Sequence, residues 1–165
     1  MPDLYRKYKV NLPAFIICLF SPLILAECIR LAVPNPNVVL QSLNLPAFIP
    51  PGIVFVIVWV ILYLIMGLAL YSILTLDYKN IRLKYSALLY FFLQLAFNYL
   101  WFVVFFGFQY RGLSVLIITL LLALAIATWK RLRAISISIS RLWLLYLIWL
   151  AFAAFLTYII WILNL

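Results

Sequence analysis

The chain has 165 residues, 70% of them hydrophobic, 18% aromatic and 9% charged, with a net charge of +9. A soluble domain carries roughly a quarter charged residues, so this chain has no polar coat to dissolve in. Its apolar runs of spanning length make it an all-α integral membrane protein, a bundle of five transmembrane helices. The charge does not point to nucleic acid, because the basic residues sit in short clusters between the apolar runs, where membrane loops carry them.

Residues 1–10 read as a basic tail with Arg6, Lys7 and Lys9. The first span covers about 11–33, with Pro22 expected to kink it. It is long and lacks a small-residue cleavage site, so no cleavable signal is expected. Cys18 and Cys28 are ten residues apart in it, nearly three turns, which rules out pairing and predicts two buried apolar fillers. Glu27 and Arg30 lie one turn apart near its end, spaced to pair as a snorkelling couple at the membrane surface. An ionisable pair in a span is also a functional candidate.

Residues 34–51 form the longest loop, with five prolines and no charge. A loop of that length is more often a lid or binding loop than a linker, and Pro46, Phe48, Pro50 and Pro51 are its candidate lid residues. The second span, about 52–76, starts after Pro50-Pro51, where proline fits a first helical turn. It carries Phe55, Trp59 and Tyr63 on one face. Such aromatic stripes are also common packing features.

The third span covers about 85–106, and Gln94, Asn98, Trp101 and Phe105 share one face. Amides in hydrocarbon need partners, so this face points into the bundle or a cavity. The fourth span is about 113–129. The stretch 130–141 reads as a basic loop whose Ile-Ser alternation is too short for a membrane strand. The fifth span, about 142–163, aligns Tyr146, Trp149, Ala153 and Thr157. Trp129 and Trp143 fall near a membrane surface and read as interfacial anchors.

Ten of the twelve basic residues lie on the side of the N-terminal tail and the 77–84 and 130–141 loops. That asymmetry predicts a cytoplasmic N-terminus and an outside C-terminus. No internal repeat supports an inverted-repeat transporter. Conventional catalytic equipment is missing: there is no histidine, and the only acids are Asp3, Glu27 and Asp77. No metal-ligand spacing, phosphate loop or nucleophile–base pair occurs. No metal and no resident cofactor is expected. Three polar–aromatic faces and a stiff loop instead predict an aromatic-lined pocket with a few polar handles. The alternative is a bundle glued by interhelical hydrogen bonds.

The same residues carry a resemblance. Pro46 with Pro50-Pro51 is followed by Trp59, Leu62-Tyr63 and Met66-Gly67. Gln94-Leu95, Asn98, Trp101 and Phe105-Phe106-Gly107 come next. Arg141, Tyr146, Trp149-Leu150-Ala151-Phe152-Ala153 and Trp161 close the series. In order and spacing the chain resembles the translocator protein / tryptophan-rich sensory protein (TspO) family, once called the peripheral benzodiazepine receptor. The resemblance implies a five-helix bundle, often a homodimer, in a bacterial cell membrane. It implies binding of porphyrins or haem, sterol-like lipids and synthetic aromatic ligands beneath the first loop, amid membrane lipid. Trp59, Asn98 and Trp149 match family ligand-contact positions.

Some positions depart from the pattern. The usual Lys-Pro is Leu45-Pro46, the Trp after it is Phe48, and an earlier loop Trp falls near Val39. An acidic position is Ile117, a Pro is Leu145 and an Asn is Thr157. The reading is a receptor or translocator that binds a flat hydrophobic ligand through Trp59, Tyr63, Gln94, Asn98, Trp101, Tyr146, Trp149 and Ala153. The other two classes are a photo-oxidative, porphyrin-degrading enzyme and a structural or chaperone-like subunit.

Overall fold

A run of apolar residues in lipid must satisfy its backbone internally, and every long element of this chain is a helix. The computed structural model describes residues 11–75 and 81–165. The helices are α1 (Leu12–Ala32), a short α2 (Pro36–Gln41), α3 (Gly52–Thr75), α4 (Ile81–Phe102), α5 (Arg111–Ile135) and α6 (Ile137–Leu163). All but α2 are long and apolar enough to cross a membrane, so the chain is an integral membrane protein. No strand occurs among the described residues. The tail 1–10 and residues 77–80 of the predicted 77–84 loop lie outside them; the other half of that loop, 81–84, is the helical first turn of α4, so the third span starts earlier than the expected 85.

Local chemistry sets the helix ends. Asn11 caps α1 through its side chain, which accepts from Ala14 N at 3.2 Å, and Pro13 occupies the first turn. Asn35 and Pro36 start α2 in the same way. At the end of α4, residues Val103–Gly107 form a π-helical turn. Gln109, at φ 59°, then reverses the chain.

The stretch expected to be a loop at 130–141 is helical instead. α5 continues to Ile135, the chain breaks at Ser136 alone, and α6 begins at Ile137 with the Ser136 hydroxyl accepting from Ile139 N. Lys and Arg are good helix formers, and the Arg131 head finds partners nearby. Arg131 donates to Ser86 Oγ and to the Ala127 carbonyl and lies 3.5 Å from the Tyr90 ring centre. The helix therefore outlasts its apolar window. The first turn of α6 likewise absorbs Ser138 and Ser140.

α5 is held between α4 and α6, whereas α3 packs against α1 and more loosely against α6 and α4. Trp143 is fully buried between Phe91 and Tyr146, and its indole donates to the Ala125 carbonyl at 3.1 Å. It ties α6 to α5 and is not the interfacial anchor expected. Cys18 is buried but Cys28 is exposed. Of the two expected fillers, only the first packs inside.

α1 meets α3 backbone to backbone. A Cβ on Gly67 would lie 2.3 Å from the Leu19 carbonyl oxygen and 2.7 Å from that of Cys18. Pro22 cannot donate to the Cys18 carbonyl, which accepts from the Ser21 hydroxyl at 3.3 Å instead. The Pro22 carbonyl accepts from the Tyr99 hydroxyl at 2.7 Å. α1 is thereby tied to α3 and α4 at adjacent points, and beyond them Leu23, Ala26 and Ile29 of its last turns face the bundle.

Candidate ligand cavity

Those last turns of α1 form one wall of a cavity of ≈ 230 Å³ that opens towards the 34–51 loop. α3 lines it with Phe55, Trp59 and Tyr63. α4 and its π turn supply Asn98, Tyr99, Trp101, Phe102, Phe105 and Phe106, and α6 adds Ala153, Leu156, Thr157 and Ile160. The helical period explains the sets: residues three and four apart share a face. Both adjacent phenylalanines of the π turn reach the cavity.

The aromatic wall is a connected column. Trp59 stacks on Trp101 with ring centres 6.2 Å apart and contacts Tyr63 at 5.8 Å. Tyr63 stacks on Tyr99 at 6.0 Å, and Trp101 meets Phe105 at 5.7 Å. Below it runs a chain of buried hydrogen bonds. The Tyr63 hydroxyl donates to Asn98 Oδ1 at 2.7 Å, Asn98 Nδ2 donates to the Tyr146 oxygen at 3.4 Å, and the Tyr146 hydroxyl donates to Gln94 Oε1 at 2.8 Å. Buried polar groups without partners are costly, so this chain fixes three helices in one register. Donors outnumber acceptors: Gln94 Nε2 and the indole nitrogens of Trp101 and Trp149 have no partner.

Of the eight residues singled out by sequence, Trp59, Tyr63, Asn98, Trp101 and Ala153 line the cavity. Gln94 and Tyr146 do not. Both are fully buried: Tyr146 accepts from Asn98, and Gln94 in turn accepts from Tyr146. Trp149 is elsewhere too. It lines an outward-facing groove at the seam of α3 and α6 with Pro50, Leu62, Ile148 and Phe152, and its ring meets the edge of cavity-lining Phe55 at 5.4 Å. Trp149 and Phe55 thus form a partition between groove and cavity. Thr157 lines the cavity but donates its hydroxyl proton to the Ala153 carbonyl at 2.7 Å.

The loop residues that line the cavity are other than the four expected. Pro36, Asn37 and Leu40 of α2, with Ile49, face inward. Pro46 is buried, and Phe48 lies outside on Phe155 with ring centres 5.9 Å apart. Pro50 belongs to the outer groove, and Pro51 is exposed. The loop is fastened to the end of α6 by a reciprocal pair. Asn44 N donates to Asn164 Oδ1 at 2.9 Å, and Asn164 Nδ2 donates to the Asn44 carbonyl at 3.0 Å. Neither asparagine stood out in sequence, because residues 120 apart give no periodic signal. Tyr99 was legible in principle, one turn before Phe102 on the same stripe.

At the rim, Glu27 and Arg30 also line the cavity. They form a two-point ion pair at 2.6 and 2.7 Å. Among the described residues no cluster of His, Cys, Asp or Glu could hold a metal ion.

Residues 14–162 match the family model described as the TspO/MBR family. The chain is 34% identical over 119 residues to the tryptophan-rich protein TspO of Chlorobaculum tepidum, covering 72% of this chain and 75% of that protein. It is 30% identical over 118 residues to the tryptophan-rich sensory protein of Cereibacter sphaeroides, 72% of each. It is also 28% identical over 133 residues to protein CrtK of Rhodobacter capsulatus, 81% of this chain and 82% of the relative. The aromatic column, the Asn98 network and the proline-rich cover all fall within the matched span, and the chain belongs to the TspO/MBR family.

Proposed function

We propose that this protein is a membrane receptor or translocator that holds a flat hydrophobic ligand, a porphyrin-type tetrapyrrole or a sterol-like lipid, in the cavity beneath the 34–51 loop. The observation that carries the reading is the stacked wall Trp59–Trp101 beside Tyr63–Tyr99, set over the hydrogen-bonded Asn98. Aromatic faces attract planar rings by offset stacking, and a few fixed polar groups orient a ligand in an apolar site. The unpartnered Trp101 indole N–H, which lines the cavity, supports a ligand that carries a neutral acceptor, as ring nitrogens do. A relative named as a sensory protein supports sensing as the use of that binding.

Tryptophan-fluorescence quenching in detergent, against a panel of porphyrins, sterols and synthetic aromatics, tests it. Trp59→Ala should weaken the binding of a planar ligand by about 1–3 kcal/mol, with Asn98→Leu weakening only ligands that have a polar edge. Absence of saturable binding to folded protein would sink the reading. The continuous Trp–Trp–Tyr–Tyr column also favours a second reading, photo-oxidative breakdown of a bound porphyrin. Illumination of the complex distinguishes the two, since only the enzyme yields a new product spectrum.

A further inference from the structure

A ligand charge has nowhere to go inside this cavity. The interior polar groups are neutral, and apart from the Trp101 indole N–H they are already engaged: Tyr63 with Asn98, Tyr99 with the Pro22 carbonyl, and Thr157 with its own helix. An ion placed there would lose its hydration with at most that one neutral donor in exchange. Any charged group on a bound molecule must therefore remain at the rim, where Glu27 and Arg30 are the charged residues of the wall. The other described cation at this end, Arg111, donates to the Phe105 carbonyl, lies over the Phe105 ring and is not part of the wall.

The geometry of the pair decides the sign. Arg30 uses the side of its guanidinium: Nε donates to Glu27 Oε2 at 2.7 Å and Nη2 to Oε1 at 2.6 Å. Each carboxylate oxygen accepts one N–H in that contact and keeps only a single outward lone pair, with no second edge for a two-point partner. The guanidinium is not exhausted, because its five N–H groups form two edges suited to carboxylates. The end edge, Nη1 with the second proton of Nη2, makes no hydrogen bond to the described residues. Both side chains are about half exposed, 47% for Arg30 and 52% for Glu27, so that edge is open to a partner.

We propose that Arg30 is a specificity-determining residue of the cavity. It receives a carboxylate on the free edge of its guanidinium while the apolar body of the same ligand lies against Trp59 and Trp101, and Glu27 holds the fork in place. The preferred ligand is then an amphipathic aromatic acid, not a neutral polycycle or an amine. This rests on the reading of the cavity as a ligand site.

The test uses two probes that differ only in charge, a porphyrin dicarboxylic acid and its dimethyl ester. Each is titrated into the full-length protein in neutral detergent, with binding read by tryptophan quenching. Wild type should bind the acid more tightly than the ester. Arg30→Gln should weaken the acid by about five- to twentyfold, a charged hydrogen bond discounted for half exposure, and change the ester less than about twofold. Arg30→Lys, a charge without the fork, should recover part of the loss. Gel filtration checks that the variants stay folded, as loss of an exposed ion pair should allow. Equal weakening of acid and ester, or an unchanged acid, overturns the role of Arg30 and leaves the cavity reading standing. A wild type that prefers the ester overturns it as well. Failure of both probes to bind folded wild type removes the cavity reading and this proposal together.

Discussion

Replacing Gly67 by alanine should loosen the bundle at the crossing of α1 and α3. The added Cβ would sit 2.3 Å from the Leu19 carbonyl oxygen, 2.5 Å from the Leu19 Cα and 2.7 Å from the Cys18 oxygen. All three are backbone atoms, so no rotamer change relieves the overlap. Ordinary contact begins at 3.4 Å, and α1 must retreat by about 1 Å to reach it. Overpacking of this kind costs about 1–3 kcal/mol. The retreat also pulls on the bond from Tyr99 to the Pro22 carbonyl, worth about 1 kcal/mol, while alanine returns about 1 kcal/mol of helix propensity. The net loss of about 1–3 kcal/mol corresponds to a fall in Tm of about 3–10 °C for a chain of this size. Thermal unfolding followed by far-UV circular dichroism in detergent measures it. Gly107→Ala is the control, because its Cβ would meet Val33 at 3.4 Å, an ordinary contact. If Gly67→Ala melts no lower than Gly107→Ala, the backbone contact between α1 and α3 is not there.

Other expectations follow from the site and its supports. Asn164→Ala removes both halves of the reciprocal pair with Asn44 and should speed ligand release by about tenfold while altering association less; stopped-flow displacement checks this, and unchanged release would count against a latch. Trp143→Phe leaves the Ala125 carbonyl without its buried donor and should cost about 1–3 kcal/mol. Trp129→Phe, at a half-buried site whose indole donates to the Ser140 carbonyl, should cost less than about 1 kcal/mol; equal melting of the two variants would refute the difference in burial. At the end of the bundle away from the loop lie Arg82, Lys84, Lys130, Arg131, Arg133 and Arg141, against Arg30 and Arg111 at the loop end. We expect the loop to face outside, so a cysteine at Ser42, on a background lacking Cys18 and Cys28, should label in intact cells; labelling only after lysis would reverse the orientation.

The five spans were legible because apolar runs leave few alternatives in lipid. Their ends were less so. Hydropathy falls at Lys130, yet the helix continues, since Arg131 is satisfied by Ser86, Ala127 and Tyr90. Ser86 and Tyr90 lie on another helix and leave no local trace. At the site, spacing identified the stripes of α3, α4 and α6 but not the depth at which the cavity stops. Gln94 lies one turn before Asn98 and falls below the floor. Trp149 is one turn before Ala153 and shares its stripe, but its ring turns sideways into the seam against Phe55. A helical period gives direction around an axis; distance along it depends on where neighbouring helices separate.

That separation bears on how a large planar ligand could fit. A volume of ≈ 230 Å³ is below the usual range of about 300–1,000 Å³ for drug-sized ligands, so a tetrapyrrole requires a wall to yield. α5 and α6 are poor candidates, locked by Trp143 and by the chain from Tyr146 to Gln94 and Asn98. Two walls remain. One is the loop, held to α6 by Asn44–Asn164 and by Phe48 on Phe155. The other is the end of α1 beyond Pro22, whose close ties, at Gly67 and Tyr99, both lie below the segment that lines the cavity. α1 is also the least buried of the spanning helices. The two walls imply different routes, from above the membrane or sideways between α1 and α4. Release accelerated by Asn164→Ala alone assigns the first. Release accelerated by Gly67→Ala in protein that remains folded assigns the second, because that substitution moves α1 and leaves the latch intact.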